Sequence, residues 1–162
     1  MNETAACVRG TARWLGYLGL VPFVFFALGS HGLFEPMIGG PFSLSVLAFY
    51  AMVIPSFMAG LLWAYALLAP GLSERIRMGL FVASVLPPIG GWCVAGFLGA
   101  RASVVAAALL LSALFLVDLR LKREPWYPGW FFALRLKLTA AAVLSLLIAS
   151  LAPVGPPAGG GL

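Results

Sequence analysis

The sequence predicts an all-α integral membrane bundle of five transmembrane helices, and three observations carry this prediction. Of the 162 residues, 62% are hydrophobic and only 9% are charged, whereas a soluble domain carries about 25% charged residues. The mean hydropathy is +1.05. Five apolar runs approach or exceed the roughly 20 residues that a helix needs to cross about 30 Å of hydrocarbon. A transmembrane β-barrel is excluded because short segments of alternating polarity do not recur.

The five runs follow one another with short connections and form one domain: residues 14–30, 44–69, 78–99, 102–117 and 134–152. The fourth run is the shortest and follows the third closely, which predicts a tight antiparallel hairpin. Pro22, Pro55 and the pair Pro87-Pro88 interrupt the first three runs, where proline removes a backbone donor and kinks a helix. Residues 153–162 are rich in proline and glycine and carry no charge, which predicts a flexible tail.

The basic residues predict the orientation of the bundle. Nine of the ten Lys and Arg fall on one side of the five-run topology, and Arg101 alone falls on the other. Cytoplasmic loops hold the excess of Lys and Arg in membrane proteins. We therefore expect a cytoplasmic N-terminus and a C-terminus outside.

The same composition argues against several classes of function. No ionisable residue lies at the centre of a run, which disfavours an ion pump or a proton-coupled transporter. One His and two distant Cys provide no metal-ligand cluster and no disulfide framework. The basic residues flank apolar runs instead of forming a basic face, so no nucleic-acid partner is expected. We expect neither a metal nor a cofactor.

A cavity is predicted between the second and third runs. Gly60 and Trp63 are one helical turn apart, and Pro87 kinks the next helix. We expect Gly60 and Pro87 to border one shared cavity around Trp63 and Trp92, which Gly60→Leu would overpack. Tolerated helix prolines with ordinary packing are the alternative interpretation.

Basic and aromatic residues are concentrated around the connection between the fourth and fifth runs. Seven of them are predicted to lie at the level of the lipid headgroups, where the bilayer is the partner: Arg120, Lys122, Arg123, Trp126, Tyr127, Arg135 and Lys137. Topology-determining charge without lipid recognition is the alternative. Asp118 and Arg135 are also predicted to form an interhelical ion pair, with a coupling on the order of 1 kcal/mol. Two independent charges that snorkel to the surface are the alternative there.

Four segments, taken together, resemble a known family. They cover residues 13–23, 50–63, 84–92 and, as one unit, 125–127 with 134–139. In this order and spacing they resemble the domain of unknown function 3429, the transmembrane protein 69-like family. The family pattern falls on Gly16, Gly19, Pro22, Tyr50, Ser56, Gly60, Trp63, Pro87, Trp92, Trp126 and Arg135. Pro55, Ala59 and Ala64 depart from it.

The resemblance implies five helices in a bacterial inner membrane or its mitochondrial equivalent, and it implies no reaction. Our leading hypothesis is a non-catalytic inner-membrane protein that docks on a larger membrane complex, assists its assembly, or shelters an apolar ligand. A homodimer is a further possible assembly. The residues expected to contact the ligand or partner are Tyr50, Ser56, Gly60, Trp63, Pro87 and Trp92.

Two other functions remain open from the sequence. The first is a carrier for a small neutral solute that uses the proline positions as broken helices. The second is a lipid-acting membrane enzyme, which would need His31, Glu35 or Asp118 as its acid or base.

Overall fold

The computed structural model describes residues 3–35 and 37–153, and the described part contains five α-helices and no strand. All five helices are long and apolar enough to cross a membrane, so the predicted all-α membrane bundle is confirmed. Residues 154–162 of the predicted tail lie outside the described residues. The helices are α1 (Glu3–Ser30), α2 (Gly40–Leu68), α3 (Glu74–Phe97), α4 (Ala100–Leu121) and α5 (Gly129–Ser150).

All five helices begin before the apolar runs that predict them. The structure starts α3 at Glu74 instead of residue 78 and α5 at Gly129 instead of residue 134. Helical hydrogen bonds do not require apolar side chains, so a helix can begin before its apolar run does. At α3 the side chain of Ser73 accepts a hydrogen bond from the Ile76 backbone N–H, which satisfies one of the free N–H groups of the first turn.

The bundle runs up and down, with α2 and α4 at its centre. α2 packs against α1, α3 and α4, while α5 packs against α4 and α1. We call the end that holds the α2–α3 and α4–α5 connections the basic end, and the opposite end the distal end. Only Leu98 and Gly99 join α3 to α4, as the predicted tight connection requires, but α3 packs more extensively against α2 than against α4.

The prolines do not break the helices. α1 continues through Pro22, α2 through Pro55, and α3 through both Pro87 and Pro88. Pro55 and Pro87 are buried. A transmembrane helix can absorb a proline where neighbouring groups satisfy the freed carbonyl.

The core consists of two clusters of small and aliphatic side chains. The first includes Ala51 and Ala107, and the second, nearer the basic end, includes Ala66 and Leu114. Small residues allow membrane helices to approach closely. One close approach is between α1 and α2 at the distal end, where a Cβ on Gly29 would lie 2.7 Å from Ser43 Oγ.

Cationic or imidazole side chains bind the carboxyl ends of two helices. His31 Nε2 donates to the Ile148 carbonyl of α5 at 2.9 Å, and Arg101 donates to the Ala152 carbonyl just beyond that helix. Arg77 donates in the same way to the Ala66 and Leu67 carbonyls of α2. The last carbonyls of a helix have no partner within it and carry partial negative charge. These contacts therefore lock neighbouring helices together at both ends of the bundle.

Candidate functional site

An open groove of about 480 Å³ lies between α2 and α3. On α2 its residues recur at spacings of three and four, so they share one helix face. We call this the α2–α3 groove; its lining is Ser56, Gly60, Trp63, Ala64, Leu67, Leu68, Ser84 and Pro88.

Gly60 and Trp63 give the groove its shape. A Cβ on Gly60 would meet no atom within 4 Å, so the absence of a side chain leaves open space. Trp63 is 48% exposed, and its ring contacts Phe81 edge-on at 4.9 Å between centroids. One wall is therefore a rigid aromatic ring beside an unfilled glycine position.

The groove presents a mostly apolar surface, because the hydroxyl groups of its two serines donate to backbone carbonyls. Ser56 Oγ donates to the Met52 carbonyl at 3.0 Å, and Ser84 Oγ donates to the Phe81 carbonyl at 2.6 Å. Each hydroxyl proton is thus used within its own helix. The remaining lining is aliphatic, aromatic or glycine.

The groove extends from the middle of α2 to its basic end. Ser56 lies near the midpoint of Gly40–Leu68, and Leu68 is the last helical residue. The rise of 1.5 Å per residue gives about 18 Å between them. Half of the hydrocarbon thickness of a bilayer is roughly 15 Å, so the groove is about as long as one leaflet is thick.

Arg77 lies where the groove reaches the basic end. Helical periodicity places it on the same face of α3 as Ser84 and Pro88, and its Nη1 donates to the carbonyls of Ala66 and of Leu67, a groove residue. Among the described residues, no carboxylate forms a salt bridge with this guanidinium. A partly buried cation is therefore held at the mouth of an apolar groove.

The structure brings together only part of the predicted ligand surface. Ser56, Gly60 and Trp63 line the groove. Tyr50 lies instead at the α1–α2 interface, where its hydroxyl donates to the Gly19 carbonyl at 2.8 Å. Pro87 is buried, and its neighbour Pro88 faces the groove.

Trp92 and Gly60 require further corrections. Trp92 is 72% exposed, packs its ring on Phe97 and is not among the groove residues. The prediction that Gly60→Leu overpacks a cavity is wrong, because the space beside Gly60 is open. Sequence reasoning also missed Arg77, although its spacing of seven residues from Ser84 is a signal for a shared helix face.

A second polar feature is a buried cluster of Asp118, Tyr127 and Arg135, which we call the basic-end cluster. Arg135 Nη2 lies 2.6 Å from Asp118 Oδ2, and Arg135 Nε donates to the same oxygen at 2.8 Å. The Tyr127 hydroxyl donates to Asp118 Oδ1 at 3.0 Å. Exposed fractions of 3% for Asp118, 6% for Arg135 and 5% for Tyr127 show that the predicted partners meet inside the protein.

Burial raises the pKa of the Tyr127 hydroxyl above its ordinary value, and the negative charge of Asp118 raises it further. Tyr127 consequently stays protonated and keeps donating to Asp118. The rings of Tyr65 and Trp126 cover this residue, with the Tyr65 and Tyr127 centroids 5.8 Å apart. Both carboxylate oxygens of Asp118 have partners, so the arrangement is suited to fixing the helices and leaves no free acid or base.

Two residues expected to contact the headgroups are buried inside the protein instead. Tyr127 and Arg135 are buried against Asp118, because an interior carboxylate holds them. Trp126 is partly buried. The other four, all exposed, are Arg120, Lys122, Arg123 and Lys137.

The residues suggested for an enzymatic acid or base lie at opposite ends of the bundle, with His31 and Glu35 in the α1–α2 connection and Asp118 near the end of α4. His31 lies at the distal end and donates to Ile148, whereas Asp118 belongs to the basic-end cluster. Within residues 3–35 and 37–153, no three His, Cys, Asp or Glu side chains are grouped as metal ligands. Cys7 and Cys93 are unpaired.

Comparison with known proteins gives a family but no solved relative. No solved structure matches the chain. Transmembrane protein 69 of Xenopus tropicalis is 32% identical over 142 residues, which cover 84% of this chain and 52% of that protein. The chain thus spans about half the length of this curated relative. The family described as "Protein of unknown function (DUF3429)" matches residues 8–151, and the five-helix membrane protein described above belongs to the DUF3429 family.

Proposed function

We propose that this protein is a non-catalytic membrane protein that holds an apolar ligand in the α2–α3 groove. One observation carries the proposal: the open space beside Gly60, next to the half-exposed ring of Trp63. An apolar chain placed there would contact protein on two sides, the faces of α2 and α3.

The lining favours an apolar ligand over a polar solute. Both serine hydroxyls already donate to backbone carbonyls, so a polar solute would lose its water without gaining these donors. An unpaired polar group costs about 1–3 kcal/mol to bury. A hydrocarbon chain has no such cost.

The carrier hypothesis receives less support from the geometry. Transport by broken helices would require interruptions near the prolines, and the described parts of α1, α2 and α3 are continuous through them. Docking on a larger membrane complex and homodimer formation would use the same exposed groove. They are outcomes of the test below.

For the location, we propose a bacterial inner membrane with the basic end in the cytoplasm. The nine-to-one distribution of Lys and Arg supports this orientation. Reporter fusions after residue 40 and at the C-terminus should report the outside, and a fusion after residue 75 should report the cytoplasm. A cytoplasmic C-terminus would contradict the orientation.

Gly60→Leu tests the ligand site. The leucine side chain would extend into the groove, because nothing lies within 4 Å of the Cβ position and the groove beside it is open. The added side chain would displace the acyl chain and remove its van der Waals contacts with α2, so lipid retention should fall clearly below that of the wild type. The measurement is the number of phospholipids retained by the detergent-purified protein in native mass spectrometry.

Gly79→Leu is the matched control, because its Cβ position is equally open and Gly79 does not line the groove. It should retain lipid like the wild type. Unchanged retention in Gly60→Leu would contradict the proposal. Loss of a stoichiometric protein partner, or of a dimer, in Gly60→Leu alone would assign the groove to that partner instead.

A further inference from the structure

We infer that the ligand of the α2–α3 groove is an anionic phospholipid, with one acyl chain in the groove and its phosphate on Arg77. This inference rests on the proposed function and adds the headgroup chemistry. Its evidence is separate from that for the groove, because it depends on the position and bonding of one arginine.

The dimensions of the groove suit a lipid chain that reaches a headgroup at the basic end. The lining runs from Ser56 to Leu68, about 18 Å along α2. An acyl chain of one leaflet extends over roughly 15 Å from the bilayer centre to its headgroup. A chain whose methyl end lies near Ser56 therefore brings its phosphate to the level of Leu68 and Arg77.

Arg77 is positioned to receive that phosphate. Its Nη1 donates to the Ala66 and Leu67 carbonyls, which fixes the guanidinium plane against the end of α2. A guanidinium has five N–H donors, and no hydrogen bond of the described residues uses Nε or Nη2 of Arg77. Two donors in a rigid fork match two phosphate oxygens.

The charges around Arg77 favour an anionic lipid over a zwitterionic one. Asp118, the buried carboxylate of the basic end, is already paired with Arg135 and cannot accept the cation of a headgroup. Glu74 is exposed and forms no salt bridge with Arg77. A zwitterionic headgroup carries its own cation, which is repelled here, whereas one basic residue near the surface favours an anionic lipid about fivefold.

Native mass spectrometry with an equimolar mixture of phosphatidylglycerol and phosphatidylcholine tests the inference. The wild type should bind phosphatidylglycerol about fivefold better. In Arg77→Gln this preference should fall to about one with total lipid retained, because the groove is intact. Arg75→Gln is the matched control, since residue 75 lies about half a turn of α3 away from the groove face of Ser84; it should keep the wild-type preference.

The outcomes separate the two proposals. Loss of total lipid in Gly60→Leu with an unchanged preference in Arg77→Gln would overturn the headgroup assignment and leave the groove in place. Retained lipid in Gly60→Leu would overturn the groove itself. If Arg75→Gln lost as much of the preference for phosphatidylglycerol as Arg77→Gln does, the preference would come from nonspecific surface charge. That result would overturn the role of Arg77.

Because Arg77 also binds the end of α2, a second measurement uses the unchanged protein. The preference for phosphatidylglycerol should fall as salt is raised, since ions screen a partly exposed contact. At matched ionic strength, inorganic phosphate should displace no more lipid than chloride does. Salt-independent preference, or specific displacement by phosphate, would overturn the inference.

Discussion

The basic-end cluster and the α2–α3 groove use neighbouring residues of α2 in opposite ways. Tyr65 packs its ring against Tyr127 and Trp126 beside the cluster, whereas Ala64, one residue earlier, lines the groove. In the cluster each Asp118 oxygen has a protein partner. In the groove the space beside Gly60 is empty. One helix therefore packs an aromatic ring beside the closed cluster and presents its next residue to an open apolar groove.

The closed cluster and the open groove contribute differently to the stability of the bundle. In a bilayer, lipid tails solvate an apolar surface as well as another helix does, so apolar burial alone gives little drive for association. A charged group without a partner is penalised strongly there. The cluster therefore stabilises the register of α4 and α5, while the groove can stay open at little cost and remain available to a ligand.

The largest effect should come from removing the carboxylate of the cluster. Asp118→Asn leaves the Arg135 guanidinium buried and unpaired, and loss of one partner of a buried pair costs about 3–5 kcal/mol. Reversible unfolding by sodium dodecyl sulfate in maltoside micelles measures the free energy of unfolding. This effect exceeds the coupling of about 1 kcal/mol expected for a partly screened pair, because both side chains are buried.

Arg135→Gln and the double variant complete the cycle. The double variant should be more stable than the sum of the two single losses implies, because neither charge remains unpaired. Lys137→Gln, an exposed cation on the same helix, should change the free energy of unfolding by no more than about 0.5 kcal/mol. Additive losses in the cycle would show that the contact contributes no coupling.

Tyr127→Phe should cost about 1.5–3 kcal/mol at neutral pH, the range for a hydrogen bond to a charged group. Since burial raises the pKa of Tyr127 in the folded protein, its stability contribution is complete below pH about 10, the ordinary tyrosine value. Above that pH the unfolded chain ionises while the folded one keeps its proton. The free energy of unfolding should therefore decline with rising pH more steeply in the wild type than in Tyr127→Phe.

Tyr17→Phe is the control for the pH series, because the Tyr17 side chain is exposed. It removes one tyrosine hydroxyl without changing the basic-end cluster. Parallel curves for the wild type and Tyr127→Phe would show that Tyr127 ionises in the folded protein and that the cluster is open to water.

The smallest effects are expected from alanine substitutions at two glycines. Gly29 is packed against another helix, and Gly60 borders open space. Gly29→Ala places a Cβ 2.7 Å from Ser43 Oγ, and we expect a loss of about 1–2 kcal/mol, in the lower part of the overpacking range. Gly60→Ala meets no neighbour and should raise the free energy of unfolding by up to about 1 kcal/mol through helix propensity. A loss at Gly60 similar to that at Gly29 would show that the groove is closed.

The sequence predicted where a residue lies along the bundle better than which way it faces. Asp118 and Arg135 were expected at one depth, and the structure places them in contact. Tyr127 was also expected at that end, but its ring is buried and not at the headgroups. Trp92 shares α3 with Pro88 yet lies outside the groove. The depth of a residue along the bundle follows from its position in an apolar run. The direction in which its side chain faces can be predicted only where the two sides of the helix differ in polarity.

The sequence alone therefore determined the membrane class, the five helices and the separation of charge between the two ends, because hydrocarbon thickness and basic flanks act on local sequence. The tertiary structure decided which face of each helix meets protein. A helix that is apolar all around has no distinct polar side to mark its outer face. Only packing could decide that Gly29 is closed against Ser43 while Gly60 stays open beside Trp63, because close approach depends on the partner helix and not on the glycine itself.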